Sequence, residues 1–472
     1  MKKNWLLLLM IFIVSCVSND QYEDYNINPN QPSEVEADLL FNAALKSLVD
    51  QTTDPNININ IFRMFAQYWT TTTFPDESNY NLTFRNIPQN HWSELYRDVL
   101  LDLKTAGEIV QLDNRLSEAD KATHLAQAEV LGVYTWQLLV DTLGNVPYNQ
   151  ALNTDEYPLP AYDDAATIYE DLILRLDIAI NNLNGIGYEI DNLYFGDIMA
   201  WRTFAVSLKL RLGIRLSDVN PSLAQTTVES AYNLGVFSSN NDNAQFDYLG
   251  TSNPNPIWTD IVQSGRRDFV VANTIVDVMN ALDDPRRPVY FDENLGANIF
   301  EGGPYGDVNT YSLYSHLGSL LLEPTFPTSL MDFAEVSFYL AEAAERGYAV
   351  GGNTEEYYNA GIMASFEYWG VNDVAAYLAN PDVAYTTAPG DWREKIGNQF
   401  WLAMYNRGFE GWTVWRKYDT PEFNLPVLTE RPVPTRYTYP INEQNLNEAN
   451  WQEASMAIGG DEQTTKLFWD VD

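Results

Sequence analysis

Residues 123–148 read THLAQAEVLGVYTWQLLVDTLGNVPY. Leu125, Ala128, Gly132, Trp136 and Leu139 recur at helical spacing along one stripe. Val130, Val133, Tyr134, Gln137 and Leu138 leave the other side only partly polar. A helix that is apolar nearly all round belongs inside a core. Gly144 and Pro147 supply its stop. Ala128 and Gly132 are expected to let a neighbour approach closely. A helix buried this way needs other helices around it, so the stretch predicts a mainly α-helical protein.

The rest of the chain repeats the pattern. In YDDAATIYEDLILRLDIAINNL, residues Ala165, Tyr169, Leu172, Leu176, Ala179 and Leu183 share a face, and Asp163 or Asp164 is placed to cap its start. The stretch from Trp201 does the same with Ala205, Leu208, Leu212 and Leu216. FAEVSFYLAEAAERG ends on Gly347, and NTEEYYNAGIMASFEYWG opens with Asn353 and Glu356 at capping-box spacing. Two helices around a Gly-rich turn make a hairpin of roughly tetratricopeptide length, ~34 residues, although no clean consensus of that repeat appears. Between about 237 and 328 the texture changes to Asn, Gly, Pro and Asp with aromatics spaced through it. Long irregular stretches of this kind often carry function. The Pro-rich tail, LPVLTERPVPTRYTYPINEQNLNEANW, reads as extended chain wrapping the surface.

The chain has 472 residues, with 27 basic against 65 acidic, a formal charge of −38. Such a surface repels phosphate backbones, which argues against a nucleic-acid partner. The one cysteine, Cys16, excludes an intramolecular disulfide and a Cys-rich metal site. Its position explains it. Lys2 and Lys3 precede an apolar run, Trp5 to Val14, of signal-peptide length and short of the ~20 residues that span a bilayer. Ile13-Val14-Ser15-Cys16 then has the order of a bacterial lipobox. The reading is a lipoprotein leader over 1–15, with Cys16 as the lipidated first residue. Residues 16–34 are an acidic tether, and 35–472 are a single helical domain with a loop-rich insertion at about 237–328. Several acyl chains on Cys16 would anchor the protein without a spanning helix. Loss of Lys2 and Lys3 takes the mature charge to −40.

Catalytic signatures are sparse. His91, His124 and His316 are not paired at metal-ligand spacing. His91 and His124 each head a helix and read as surface or capping residues. A glycosidase needs two carboxylates ~5–10 Å apart, and 65 acidic residues single out no such pair. Asn240 to Asn243, NNDN, offers clustered oxygens of the kind calcium takes, and turns use the same residues. DDPRRP at 283–288 reads as a rigid turn whose arginines reach back to carboxylates. Aromatics in loops remain. Trp69, Phe74 and Tyr80 lie in QYWTTTTFPDESNYNL, and Trp258, Tyr305, Tyr311 and Tyr314 lie in the irregular stretch. Rings among Asn and Asp suit sugars, whose C–H faces stack while hydroxyls take hydrogen bonds. These seven are the candidate ligand-binding residues; rings that pin their own loops to the core would look the same.

Four stretches carry a family resemblance. AEVLGVYTWQLLVDTLGNVPY at 128–148 ends in a hydrophobic-Asp-x-x-Gly-Asp-x-Pro-like turn, with Asn145 in the acidic slot. EVSFYLAEAAERG at 335–347 has a Glu heading an apolar run ending in Ala-Glu-Ala. EKIGNQFWLAMYNRGFEGWTVWRK at 394–417 carries a Trp-x-x-x-Arg-Arg-like segment with Lys417 for the second arginine. RYTYPINEQNLN at 436–447 matches Arg-x-x-Tyr-Pro-x-x-Glu-x-x-x-Asn. In this order behind a lipobox, they resemble the SusD/RagB family. The resemblance implies tetratricopeptide-like helical hairpins with an irregular, loop-rich ligand-binding part. It implies an outer-membrane lipoprotein facing the cell exterior, which binds a glycan or oligopeptide nutrient and delivers it to a SusC-like TonB-dependent transporter. It implies no catalysis and no cofactor. Two other readings stand beside it: a helical glycan-degrading lipoprotein enzyme, and a structural lipoprotein that holds a partner. The matched motifs are scaffold motifs and assign no ligand residue.

Overall fold

The structure is a computed structural model and describes residues 35–471. The leader, Cys16 and the tether lie outside the described residues. The longer helices of the first half are α1 (Ala37–Thr53), α2 (Leu101–Leu112), α3 (Glu118–Leu143), α4 (Ala165–Asn182), α5 (Ile198–Arg215) and α6 (Pro221–Leu234), with shorter helical turns between α1 and α2. After the irregular stretch and its single longer helix α7 (Asn273–Ala281) come α8 (Phe333–Glu345), α9 (Thr354–Tyr368), α10 (Trp392–Ala403), α11 (Gly408–Tyr418) and α12 (Glu448–Ala457). Helices α3 and α4, α5 and α6, α8 and α9, and α10 and α11 pack as sequential pairs, the hairpin arrangement of a tetratricopeptide-like scaffold. Their starts are set by local chemistry. Asp164 accepts from Thr167 N at 3.0 Å, and Asn353 and Glu356 complete a reciprocal capping box. In the α8–α9 pair a Cβ on Gly361 would stand 2.7 Å from the Phe338 ring, so glycine there permits the close crossing.

Two small antiparallel strand pairs tie the irregular stretch to the helices. β1 (Trp69–Thr71) pairs with β3 (Phe269–Val271), with Trp69 opposite Val271 and Thr71 opposite Phe269. β2 (Ala244–Phe246) pairs with β4 (Thr328–Met331).

Helix α3 is buried along nearly its whole second half, as its composition predicts. Gly144 ends it with φ of 88°, a value that only glycine adopts cheaply. The close-neighbour expectation for Ala128 and Gly132 is not met. The nearest atom to a Cβ on Gly132 would be the Arg175 guanidinium, at an ordinary 3.8 Å. Both residues instead line a surface groove between α2, α3 and α4, with Trp136, Tyr148 and Leu103.

Two further expectations are corrected. His91 and His124 are not surface residues: His91 is fully buried, with Nδ1 2.9 Å from the Gln51 amide, and His124 meets Asp120 O at 2.8 Å under Tyr188. Burial pushes the His91 imidazole down to about 3, so it stays neutral. The tail does not merely wrap the surface either. Arg436, Tyr437 and Tyr439 are buried. Arg436 donates to Leu143 O at 2.9 and 3.1 Å, Tyr437 N to Thr142 O at 2.8 Å, and the Tyr439 hydroxyl to Asn145 O at 2.8 Å. Arg416 donates to Asp141 O at 2.6 Å. A helix leaves its last carbonyls without partners, and at a buried end water cannot supply them. The tail does.

Charged residues inside the core hold the hairpins together. Glu335 of α8 receives Arg211 of α5 at 2.7 Å and Arg407 at 2.6 Å, and all three are buried or nearly so. Arg211 also reaches Glu410 at 3.2 Å. Burial pushes the Glu335 carboxyl up, but the two guanidiniums outweigh it and hold it below the ordinary range. Glu410, buried beside Glu335, is held above it. Two turns further along α8, Glu342 takes Lys417 at 3.0 Å and Arg346 at 2.8 Å. Removing one member of such a network strands the others in low dielectric. Glu335→Gln is therefore expected to lower the unfolding free energy by about 3–5 kcal/mol. Urea unfolding checks this, and a change below 1 kcal/mol would show that the pair contributes little.

Candidate functional site

The β1–β3 ladder joins two stretches about 200 residues apart in sequence, and these are the stretches that hold the seven candidate rings. Both strands are buried along their length, so the loops that leave them are what faces outward. Thr72 N donates to Asp268 O at 2.8 Å, and Thr73 Oγ1 to the Asp268 carboxylate at 2.9 Å. Asn309 then fastens the next loop, donating to Thr71 O at 3.0 Å and to Pro304 O at 3.2 Å.

Burial divides the seven rings. Trp69, Tyr80 and Tyr305 are each 1% exposed and offer no open ring face. Trp69 lies over the buried Arg63 guanidinium, 4.8 Å away, and its indole N–H points to the Tyr405 hydroxyl at 3.4 Å. The Tyr305 hydroxyl donates to Met64 O at 2.7 Å, and Tyr80 packs edge-on against Phe65. These three pin loops to the helices, because each ring fills core volume on the inner side of the strand pair. They are corrected here from ligand contacts to supports.

The other four, Phe74, Trp258, Tyr311 and Tyr314, remain half-buried. Phe74 lies under the Arg85 guanidinium at 5.0 Å. Trp258 opens a π-helical turn (Trp258–Gln263), and among the described residues its indole N–H meets no acceptor and its ring no other ring. Tyr311 stacks on His316 with ring centres 3.8 Å apart and planes 17° apart, and His316 Nε2 lies 2.9 Å from Tyr311 O. Arg267 covers the Tyr311 ring at 5.4 Å. A shallow depression opens beside it, lined by Ile261, Arg266, Arg267, Asp268, Phe269, Tyr311, Leu317 and Leu322.

Arg266, Arg267 and Asp268, which sit in SGRRDF where the chain enters β3, are not among the seven rings expected from the sequence. A signal was present: adjacent arginines are conspicuous in a chain with so few basic residues. Arg266 pairs with Asp268. The face can stack planar groups, donate from guanidinium and hydroxyl, and accept through Asp268, a combination suited to hydroxyl-rich ligands.

Metal chemistry gains nothing here. Among the described residues no group of three or more His, Asp or Glu could hold an ion. The NNDN oxygens are engaged in the fold: the Asp242 carboxylate accepts from Ser238 N at 2.7 Å and Ser239 N at 3.0 Å, and Asn243 Oδ1 from Phe333 N at 2.7 Å. DDPRRP is the rigid turn expected, with Arg286 on the Asp284 carboxylate at 2.6 Å and both fully buried.

The sequence pattern of the family described as SusD-like, "Starch-binding associating with outer membrane", matches residues 29–440. The chain belongs to this family. No curated protein matches it in sequence. Solved structures do. A SusD-like protein from Bacteroides thetaiotaomicron is 26% identical, with 92% of this chain and 98% of that one covered and a TM-score of 0.77. A chitin-binding protein is 25% identical over 92% and 99%, with a TM-score of 0.76. A chitin-binding SusD homolog from Flavobacterium johnsoniae shares the fold at 24% identity over 92% and 97%, with a TM-score of 0.76. The mainly helical, tetratricopeptide-like fold class of this SusD-like chain is thereby established. Among the described residues no helix is long and apolar enough to cross a membrane.

Burial predicts opposite behaviour for the two tryptophans. Trp69→Ala empties core volume and is expected to cost about 3–5 kcal/mol. Trp258→Ala is expected to cost about 1 kcal/mol or less. Denaturant melts of both variants test the assignment, and equal losses would contradict it.

Proposed function

We propose that this SusD-like protein is a lipid-anchored outer-membrane receptor that binds a glycan at the face around Tyr311 and passes it to a TonB-dependent transporter. What supports the reading is that Phe74, Trp258, Tyr311 and Tyr314 are half-buried and lie in the two stretches that the β1–β3 pair joins. The family description names starch and the outer membrane, and a relative at 25% identity is named as chitin-binding, which favours glycan over oligopeptide. Stacking on half-exposed rings secures orientation, and guanidinium, hydroxyl and carboxylate groups at the rim select among hydroxyl patterns.

The reading assigns no turnover. Asp268, at the entry to β3, is held by Arg266 and Thr73 and is poorly placed to exchange protons with a ligand. Calorimetric titration of the mature, unlipidated protein against starch, chitin oligosaccharides and other glycans, with a peptide mixture alongside, is expected to give saturable glycan binding and no new reducing ends. Binding of peptides alone would replace the glycan reading. Release of reducing ends that stops in Asp268→Asn would favour the enzyme.

The anchor is tested separately. Cys16→Ala is expected to move the protein from the membrane pellet to the soluble fraction. Continued pelleting after a mild salt wash would remove the lipid link from the proposal.

A further inference from the structure

Arg267 is exposed, and among the described residues no carboxylate stands within ion-pair reach of it. Its neighbour Arg266 takes Asp268 instead. Among the described residues Arg202 and Arg431 also lack a carboxylate partner, but of these three only Arg267 rests on an aromatic ring. The guanidinium is also held in place. Arg267 O accepts from the Thr72 hydroxyl, two residues before β3 begins, and the side chain rests on a Tyr311 ring that is itself stacked on His316. A charge held this way loses little freedom on binding. The depression beside it is shallow, with about 20 Å³ of room against the roughly 300–1,000 Å³ of a pocket that encloses a whole small ligand. A longer molecule would meet the guanidinium at the surface with one substituent.

Resting on the glycan-binding reading above, we infer that Arg267 receives a single anionic group, carboxylate or sulfate, carried on the saccharide, with Arg266 and Tyr311 shaping the depression around it. The isolated charge follows from two opposing fields. The protein at −38 repels a polyanion, but beyond a Debye length of ~8 Å that repulsion is screened. Within a few ångströms an unpaired guanidinium dominates for one charge that docks directly on it. Of the nearby carboxylates, Asp268 is engaged by Arg266 and Thr73, while Asp292 is exposed and stands 4.0 Å from His316 Nδ1. Asp260, in the neighbouring turn, faces Arg266 and Asp268.

The test is a glycan array of matched oligosaccharides, each as the neutral form, the form with one terminal uronate and the form with one sulfate, probed with the mature protein, Arg267→Gln and Arg267→Lys. The wild type is expected to bind one acidic form about tenfold better than its neutral match. In Arg267→Gln that ratio falls towards one, and Arg267→Lys keeps part of it. Which acidic form is preferred separates carboxylate from sulfate. A purely structural arginine would lower the melting temperature and weaken all forms alike, and that result overturns the inference. So does equal binding of neutral and acidic forms by the wild type, which leaves glycan binding standing. Silence across every form, neutral included, overturns the glycan reading and this inference with it.

Discussion

The carboxyl-terminal end of α3 is the constraint on which the rest of the structure depends. This helix is too apolar to lie anywhere but the centre, so its last carbonyls, from Asp141 to Leu143, finish where water does not reach. An unsatisfied buried carbonyl costs about 1–3 kcal/mol, and several at once would exceed the margin by which a domain is stable. The chain answers from almost 300 residues away. Arg416, Arg436, Tyr437 N and Tyr439 donate to Asp141, Leu143, Thr142 and Asn145 in turn. Arg416 makes no direct ion pair there, although the Asp141 and Asp470 carboxylates favour its charge. It lies 3.5 Å over the Trp412 ring and 4.9 Å from Trp469, and burial lowers it only to about 9, so it remains a cation at neutral pH. The first long helix and the last extended segment are thus one structural unit.

The four family-like stretches have their physical explanation here. Each carries charges inside apolar sequence, which would be costly unless partners meet them. Glu335 and Glu342 lie seven residues apart on one helix and meet different cations: Arg211 and Arg407 for the first, Lys417 and Arg346 for the second. Lys417, standing where the family pattern has arginine, keeps the role by reaching Glu342 at 3.0 Å and Asp218 at 3.5 Å. Asn145, standing in an acidic slot, still accepts from Ala165 N at 3.0 Å and so links the end of α3 to the start of α4.

Helix positions were legible in the sequence because a helix is decided by residues three and four apart, and caps such as Asp164 and Asn353 sit within that range. The tail was misread because its partners are carbonyls of a distant helix, and no local pattern shows a carbonyl's need. The same limit divided the candidate rings. Trp69, Phe74 and Tyr80 look alike from sequence. Pairing of Trp69 with Val271, and the arrival of Arg63 and Tyr405 beneath it, decides that Trp69 turns inward while Phe74 stays at the rim. The histidines were misplaced for a related reason. His91 lies in the last turn of the helix Ile87–Ser93, and Phe62 and Tyr437 close over it from other parts of the chain.

The loops of the candidate face are fastened by side-chain amides that bond mainly to backbone atoms. Gln67 donates to Asn424 O at 2.7 Å and accepts from Asn424 N at 3.0 Å. Asn79 donates to Gly306 O at 2.7 Å and accepts from Thr429 at 3.0 Å, and Asn309 reaches Thr71 O and Pro304 O. A bond to a backbone atom survives a change of side chain at that position. The rim residues between these anchors can therefore vary without loosening the loops or disturbing the buried ion pairs of the helices. The scaffold fixes where the face is, and the side chains between the anchors fix what it recognises. A buried charge such as Glu335 is tied to the identity of its partners, whereas Arg267 is held by its backbone and leaves its charge free for a ligand.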